Sequence, residues 1–540
     1  MAKRMWITLL CALTLCAVLA ALSSCDSPAD TPTSEPAAET TTATDPPHTT
    51  VITAPLIPPE PPVGTKVNVR YTVSNPDGAI LSGKTEQTVQ YGTRGTVGVT
   101  LEVKEGYRFL GWSDGLEETS RSGDCPTADT VYTALIEYDT LGLPVVSLTT
   151  ETMRDVSSKT EYIRGTIQID GCADQYLLPK TDMEIRGRGN SSWHFAKKSY
   201  RLRLSEKQNL LGLGKDAEKS WVLLANHADQ SLLRNHTTME FARKLEGIDF
   251  MPSSTSVNLY LNGEYRGVYL LCEQIEVDSD RINISENPES LQTGYLLEMT
   301  HYAQDPKFTV SGILYEVKND LSDNDSMREE QIAYIRTVMQ RCYSAVQRGD
   351  EALVRALVDV DSVVDTYIVE ELFKNKDDGW DSFYMYYDAG KANAKLTFGP
   401  IWDFDLTGGN TDNGGELHEG LWAGVSECIT DNFWYIELMR EEWFRTLVRD
   451  RWNELKSEID RIPGRIIAEA DAHTDAYARN FEKWPIFGHW INQQPPIIMS
   501  FTTYEQHYRH YAGWMQQRIT WLNGVFNDPA YLTHDPVRYQ

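Results

Sequence analysis

The feature that most constrains this chain is a change of hydrophobic period near residue 325. Upstream, apolar residues come in short blocks of strand length, separated by turn residues. Val145–Leu148 and Tyr162–Ile169 open that series. Met183-Glu-Ile-Arg-Gly-Arg-Gly-Asn-Ser-Ser-Trp193 and the following His194–Leu204 read as strand, glycine-rich turn and strand. Trp221–Asn226 and Gly294–Met299 add further strands. Ser256–Leu261 and Glu264–Glu273 form a hairpin, because Asn262-Gly263 between two β-rich runs supplies a tight turn. Asp229–Leu245 is the one helical interruption, with Leu232, Leu233, Met239 and Phe241 at helical spacing. Downstream of residue 325 the period becomes helical. Ile332, Ile335, Met339, Cys342 and Val346 mark one face, and Val364, Tyr367, Ile368 and Leu372 another. Strands first and helices after imply an α+β fold.

One β-hairpin breaks the helical half. Phe383–Tyr387 is a strand, Asp388–Ala392 its turn, and Lys395–Trp402 its partner. Acidic clusters bracket this hairpin: Asp377, Asp378 and Asp381 before it, Asp403 and Asp405 after it. The second cluster runs into Gly408 and Gly409. Paired strands can bring both clusters to one end, where carboxylate oxygens suit a hard divalent cation shared with phosphates. Turn and capping duty is the plain alternative for the same aspartates. In the earlier strand pair, Gly187 and Gly189 would let backbone N–H groups face an anion. Lys198, Tyr200, Leu202 and Leu204 share one face of the second strand; Lys197, Ser199, Arg201 and Arg203 share the other. Lys198, among apolar neighbours, is the lysine expected to point inward. The last stripe, Tyr504, Tyr508, Tyr511, Met515, Ile519 and Leu522, reads as core.

The N-terminus reads as a targeting segment. Lys3 and Arg4 precede an apolar run from Trp6 to Leu22, closed by Leu-Ser-Ser-Cys25. The ending resembles a lipobox, which implies lipidation of Cys25 and removal of residues 1–24. Residues 25–63 are rich in Thr, Pro and Ser and lack the apolar content to fold, so they read as a tether. The expected location is extracytoplasmic, with membrane attachment through the lipid only. Residues 64–140 read as a small β domain. Gly106-Tyr-Arg-Phe-Leu-Gly-Trp112 resembles one unit of the internalin B-repeat type, which implies a β-grasp-like module. Net charge is −28, from 50 basic and 78 acidic residues, which argues against nucleic acid as a partner. Beyond Cys25, five cysteines at wide spacings give neither a disulfide framework nor a metal pattern.

Several separated motifs in residues 144–530 resemble the CotH family of spore-coat, kinase-like proteins. They are Arg186-Gly-Arg-Gly-Asn-Ser-Ser-Trp193 with Lys197-Lys198, the run ending Leu233-Arg-Asn235, Asn262-Gly-x-Tyr-x-Gly-x-Tyr269 with Glu273, and Pro400-x-Trp-Asp-Phe-Asp405. The resemblance implies a two-lobed, atypical protein-kinase-like domain, with a mainly β first lobe and a mainly α second lobe. It implies ATP with Mg²⁺ or Mn²⁺ and a protein substrate on the cell surface or exported. Arg188 lies in the glycine turn that would cover the phosphates. Lys198, or Lys197, would contact phosphates, with Glu240 as its ion-pair partner. Glu273 would lie at the adenine connector. Asp377, with Asp378 as the alternative, would be the catalytic aspartate. Asp403 and Asp405 would hold metal. Ser382 stands where such kinases usually carry a metal-binding Asn, which weakens the expectation of activity; the adjacent Asp381 is a candidate substitute. An inactive scaffold or adhesin that binds cell-wall or other glycan is the alternative the sequence leaves open.

Overall fold

The computed structural model describes residues 62–377, 381–423, 432–534 and 536–539. Strict alternation builds the first domain: Val67, Val69 and Tyr71 of β1 (Lys66–Val73) turn inward, while Lys66, Asn68 and Arg70 face out. The remaining strands are β2 (Ala79–Gly83), β3 (Glu86–Gln90), β4 (Val99–Val103), β5 (Tyr107–Trp112), β6 (Ser120–Arg121) and β7 (Thr130–Tyr138). One sheet runs β3-β1-β7-β5, with β1 and β7 parallel; β2, β4 and β6 form a second. The parallel pairing of first and last strands is β-grasp-like, but no helix crosses the sheet among the described residues.

Seven strands then close into a barrel: β8 (Val145–Thr150), β9 (Ile163–Asp170), β10 (Leu178–Arg188), β11 (Ser199–Gln208), β12 (Glu218–Leu224), β13 (Ser254–Leu261) and β14 (Glu264–Glu273). The order is β10-β11-β12-β14-β13-β8-β9, and the parallel β13–β8 contact completes it. Branched and aromatic side chains fill the interior, among them Leu148, Ile167, Ile185, Leu202, Trp221, Leu223 and Leu259. Closure removes the exposed edges that an open sheet would carry.

Five further strands, β15 (Gly294–Met299), β16 (Lys307–Val310), β17 (Ile313–Val317), β18 (Phe383–Asp388) and β19 (Leu396–Phe398), form a sheet of order β16-β17-β15-β18-β19. Helix α1 (Arg234–Ala242) lies between β12 and β13 in sequence. The rest follow the sheet's third strand: α2 (Asp325–Gln347), α3 (Glu351–Leu357), α4 (Val360–Phe373), α5 (Phe433–Met439), α6 (Glu442–Ile459), α7 (Ile462–Ala472), α8 (Thr474–Lys483), α9 (Pro496–Met499), α10 (Tyr504–Phe526) and α11 (Pro529–Thr533). Helix α4 is buried nearly all round, so it threads the core instead of lying on it. The tyrosines and aliphatic residues of the α10 stripe are core, as expected.

Fold content is therefore α+β, β-rich up to β17 and mainly helical after it. The β-rich first part contains a closed barrel, and a five-stranded sheet is shared with the mainly helical second part. The expected helix over 229–245 begins only at Arg234. Asp229 instead accepts backbone N–H bonds from Ser231 and Arg234, both at 2.9 Å, which holds the preceding turn.

The 64–140 domain does not sit apart from the barrel. Its core is continuous with Val145, Tyr260 and Tyr265. Tyr107 and Tyr138 lie 5.2 and 4.9 Å from the Tyr260 ring, centroid to centroid. The Tyr260 hydroxyl donates to the Gly106 carbonyl, so closely that a Cβ at Gly106 would overlap it. Arg479 of α8 donates to the Asp139 carbonyl (2.7 Å) and to Asn258 of β13 (3.0 Å). Replacing a large buried aromatic by alanine costs about 3–5 kcal/mol. Tyr260→Ala is accordingly expected to lose about that much in urea unfolding, while the wild type unfolds in one transition. Two separate transitions in the wild type would show that the domains are energetically independent.

Candidate functional site

The site is assembled around the turn that follows β19. Asp403 adopts a left-handed backbone (φ +67°), and so does Ser382 (φ +56°), just before β18. Such conformations cost of order 1 kcal/mol or more each and persist only where the surroundings impose them. The surroundings here are identifiable. Asn235 of α1 accepts the Phe404 N–H at 2.7 Å, and its amide nitrogen donates to Asn226 at 3.0 Å. Its neighbour Arg234 donates to the carbonyls of Thr407 (2.8 Å) and Gly408 (3.1 Å) and pairs with Asp229. The guanidinium stacks over Tyr511 of α10, 4.5 Å from the ring centre. Leu233-Arg234-Asn235 and Asp403-Phe404-Asp405 are thus two halves of one clamp. Phe404 anchors the middle of the turn in the core.

The clamp places the aspartates in a cleft of about 1290 Å³ between the barrel and the five-stranded sheet. On the barrel side, the outward residues of β10 and β11 supply Arg186, Arg188, Arg201 and Arg203. On the other side stand Asp377, Asp381, Asp403 and Asp405, with Glu298, Lys318 and Tyr384 of the sheet. Arg188 bridges the two walls. It lies over Trp402, 5.0 Å from the ring centre, and its charge opposes the rise of the Asp403 pKa.

Both walls are electrostatically uncomfortable alone. Burial raises Asp377 to about 7, helped by the charges of Asp403 and Asp381 and opposed by Lys376. Burial also raises Asp403 and, further, Asp405, to which Asp403, Asp377 and Asp229 add. Across the cleft, burial lowers Arg201, and the nearby Arg186 and Arg188 charges push the same way. Hard carboxylate oxygens suit Mg²⁺ or Mn²⁺, and crowded guanidinium groups suit phosphate oxygens. The residues therefore fit a metal–nucleotide pair. The Glu218, Asp278 and Asp280 group is a separate acidic cluster, already bridged by the Lys207 ammonium.

Several residues are placed differently from expectation. Lys197, not Lys198, belongs to the cleft side of its strand, together with Ser199, Arg201 and Arg203. It is only 1% exposed, and its ammonium donates to the carbonyls of Ala225 (2.9 Å) and Val268 and to Asn480 of α8 (2.9 Å). All three donors are used, so it ties barrel to helix. Lys198 donates instead to the Trp193 carbonyl. Gly187 lies within β10, its N–H bonded to the Ser158 carbonyl (2.7 Å) and its Cα under the Trp193 ring, so it does not offer its N–H to an anion. Gly189 (φ +100°) makes the turn and lines the cleft. Glu240 is 41% exposed and pairs with Arg243, far from any strand lysine. Glu273 is buried, accepts the Ser253 N–H (2.9 Å) and faces Arg281; the cleft is lined by the following residues, Gln274–Val277. Asp381 cannot stand in freely for a missing metal ligand. Its oxygens accept Thr300 Oγ1 (2.6 Å) and the His301 N–H (3.1 Å) and pair with the His301 ring. Ser382 stands beside Asp403, and its hydroxyl opposes the rise of the Asp403 pKa. Asp378 and Cys25 lie outside the described residues.

A comparison with protein-family models matches residues 185–522, from β10 to α10, to the family described as CotH kinase protein. The chain belongs to the CotH kinase family. No curated protein matches it. The match takes in both halves of the clamp, all four aspartates and the four cleft arginines, and leaves out the 64–140 domain. Sequence reasoning named Arg188 and the Leu233-Arg-Asn235 motif of this CotH protein but missed the holding role of Asn235, the residues Thr300 and His301, and Arg201 and Arg203 as part of an arginine wall. Alternation along β11 did carry the arginine signal, since Arg201 and Arg203 share a face with Lys197.

The raised carboxyls make the stability of the metal-free protein depend on pH. Between the ordinary value of 3.8 and about 7, native Asp377 keeps a proton that the unfolded chain has released. Stability therefore falls as pH rises through that window, by at most about 1.4 kcal/mol per unit for this group. Asp403 and Asp405 act in the same direction. Thermal melts are expected to show this decline without divalent metal. Mg²⁺ or Mn²⁺ should flatten it, because a cation binds the ionised carboxylates and stabilises the native state. An identical slope with and without metal would argue against a cation at this cluster.

Proposed function

We propose that this protein is an atypical, ATP-dependent protein kinase that transfers the γ-phosphate to Ser or Thr of exported or cell-surface proteins. The observation that carries the reading is the pairing of two opposed walls, four arginines on the barrel and four aspartates across the cleft, joined by Arg188. Asp403 and Asp405 would hold Mg²⁺ or Mn²⁺. The metal, when bound, neutralises phosphate charge. Arg188, Arg201 and Arg186 take the phosphate contacts that a strand lysine makes in common kinases, since the Lys197 donors are committed elsewhere. Gln274–Val277 line the part of the cleft suited to the base. Asp377, half-buried in the cleft, holds or orients the acceptor hydroxyl. Residues 1–63 would deliver and tether the kinase outside the membrane through lipid on Cys25.

A second reading keeps the cleft as a binding scaffold for cell-wall or other glycan, with little or no transfer. The residue that favours it is Ser382, which stands where a metal-binding Asn was expected. Thermal shift separates the two. MgATP or MnATP is expected to raise the wild-type melting temperature by several degrees, Asp403→Asn should lose the metal-dependent part, and Arg188→Ala should weaken the nucleotide response at least tenfold. No shift in the wild type, together with glycan binding, would support the scaffold.

A further inference from the structure

Near Asp377 the cleft contains a pair of residues that neither the aspartate motifs nor the arginine wall explains. His301 follows β15 and is 53% exposed, with its ring among the residues lining the cleft. Its Nδ1 is paired with Asp381 Oδ2. The other Asp381 oxygen accepts the Thr300 hydroxyl at 2.6 Å and the His301 N–H at 3.1 Å. The Asp381 N–H donates to the Asp377 carbonyl at 3.1 Å, which ties the pair to the loop of the proposed catalytic aspartate. Tyr302 packs against the imidazole, ring centres 3.8 Å apart. A carboxylate on Nδ1 fixes both the ring orientation and the tautomer, leaving Nε2 as the basic nitrogen. The carboxylate that takes Nδ1 is itself held by the Thr300 hydroxyl and the His301 N–H, while the ring stays open to the cleft.

We propose that His301 is a catalytic residue of the phosphoryl transfer, with Asp381 as its positioning residue; this rests on the kinase reading above. In the step, the acceptor oxygen forms a bond to the γ-phosphorus of a nucleoside triphosphate as the bond from that phosphorus to the bridging oxygen breaks. The nucleoside diphosphate leaves with that electron pair. The acceptor proton passes to His301 Nε2, the imidazolium is held by Asp381, and the proton is then released to water. Phosphoester, nucleoside diphosphate and one proton balance the reactants. General-base assistance of this kind contributes typically 10²–10⁴-fold.

The test uses the mature chain from Cys25 onward, made without lipid, with MgATP or MnATP as donor and dephosphorylated casein as acceptor. His301→Gln keeps a side chain that hydrogen-bonds but accepts no proton. It is expected to lower kcat at least a hundredfold, with the KM for ATP and the nucleotide-induced thermal shift retained. Asp381→Asn should lower kcat about tenfold. In ¹⁵N-histidine spectra, the wild type should show one Nδ1–H tautomer that is absent from His301→Gln and redistributed in Asp381→Asn. Unchanged kcat in His301→Gln, or a wild-type spectrum without that tautomer, overturns the proposal. If the wild type neither shifts with nucleotide nor transfers phosphate, the kinase reading itself fails and the dyad's assignment falls with it.

Discussion

The Arg234–Asn235 clamp is the interaction on which the rest of the site depends. Asp403 and Asp405 cannot be brought beside Asp377 by their own attraction, because the carboxylates repel. Something neutral or positive has to hold the backbone that carries them. Asn235 does this through one N–H, that of Phe404, and Arg234 through two carbonyls beyond it. The force is applied to main chain, so the clamp does not engage the Asp403 and Asp405 carboxylates. Arg234 is itself buried, so its charge is balanced by Asp229 and by the Tyr511 face.

The same logic recurs in the connection that follows the aspartate motif. Buried Arg518 of α10 pairs with Glu371 of α4 and donates to the carbonyls of His418 (3.0 Å) and Gly420 (2.8 Å). Lys374 donates to Gly414, Leu417 and Glu419 carbonyls at 2.7–2.9 Å. Buried cations thus hold much of the described long connection after the aspartate motif. Breaking one partner of such a pair is costly because it strands the other charge. The connection needs no regular secondary structure, since its carbonyls are satisfied by side chains.

Much of this was legible in the sequence where physics is local. Alternation and the Asn262-Gly263 turn gave the strands, and the helical stripes gave the helices of the second half, because burial on one face repeats at a fixed period. Barrel closure was not legible, since it depends on β13 meeting β8 in parallel across about a hundred residues. The four motif regions were visible as separate strings, but not that Arg234 and Asn235 hold the aspartate loop. Lys198 was preferred over Lys197 because its neighbours are apolar. The strand obeys that alternation, but its apolar face fills the barrel, while the polar face lines the cleft. His301 gave no signal at all: a lone histidine after a strand gains its meaning only from the carboxylate that a distant loop brings to it.

Gly106 and Tyr260 share one consequence of the way the first domain is docked. Here a turn glycine of the first domain lies under a tyrosine of the barrel, with no room for a methyl group between them. Only residues 139–144 separate β7 from β8. Inheritance of the two segments is therefore coupled. A different domain in that place would dock only if it brought its own glycine to that position, and a barrel that lost Tyr260 would leave the first domain without a seat.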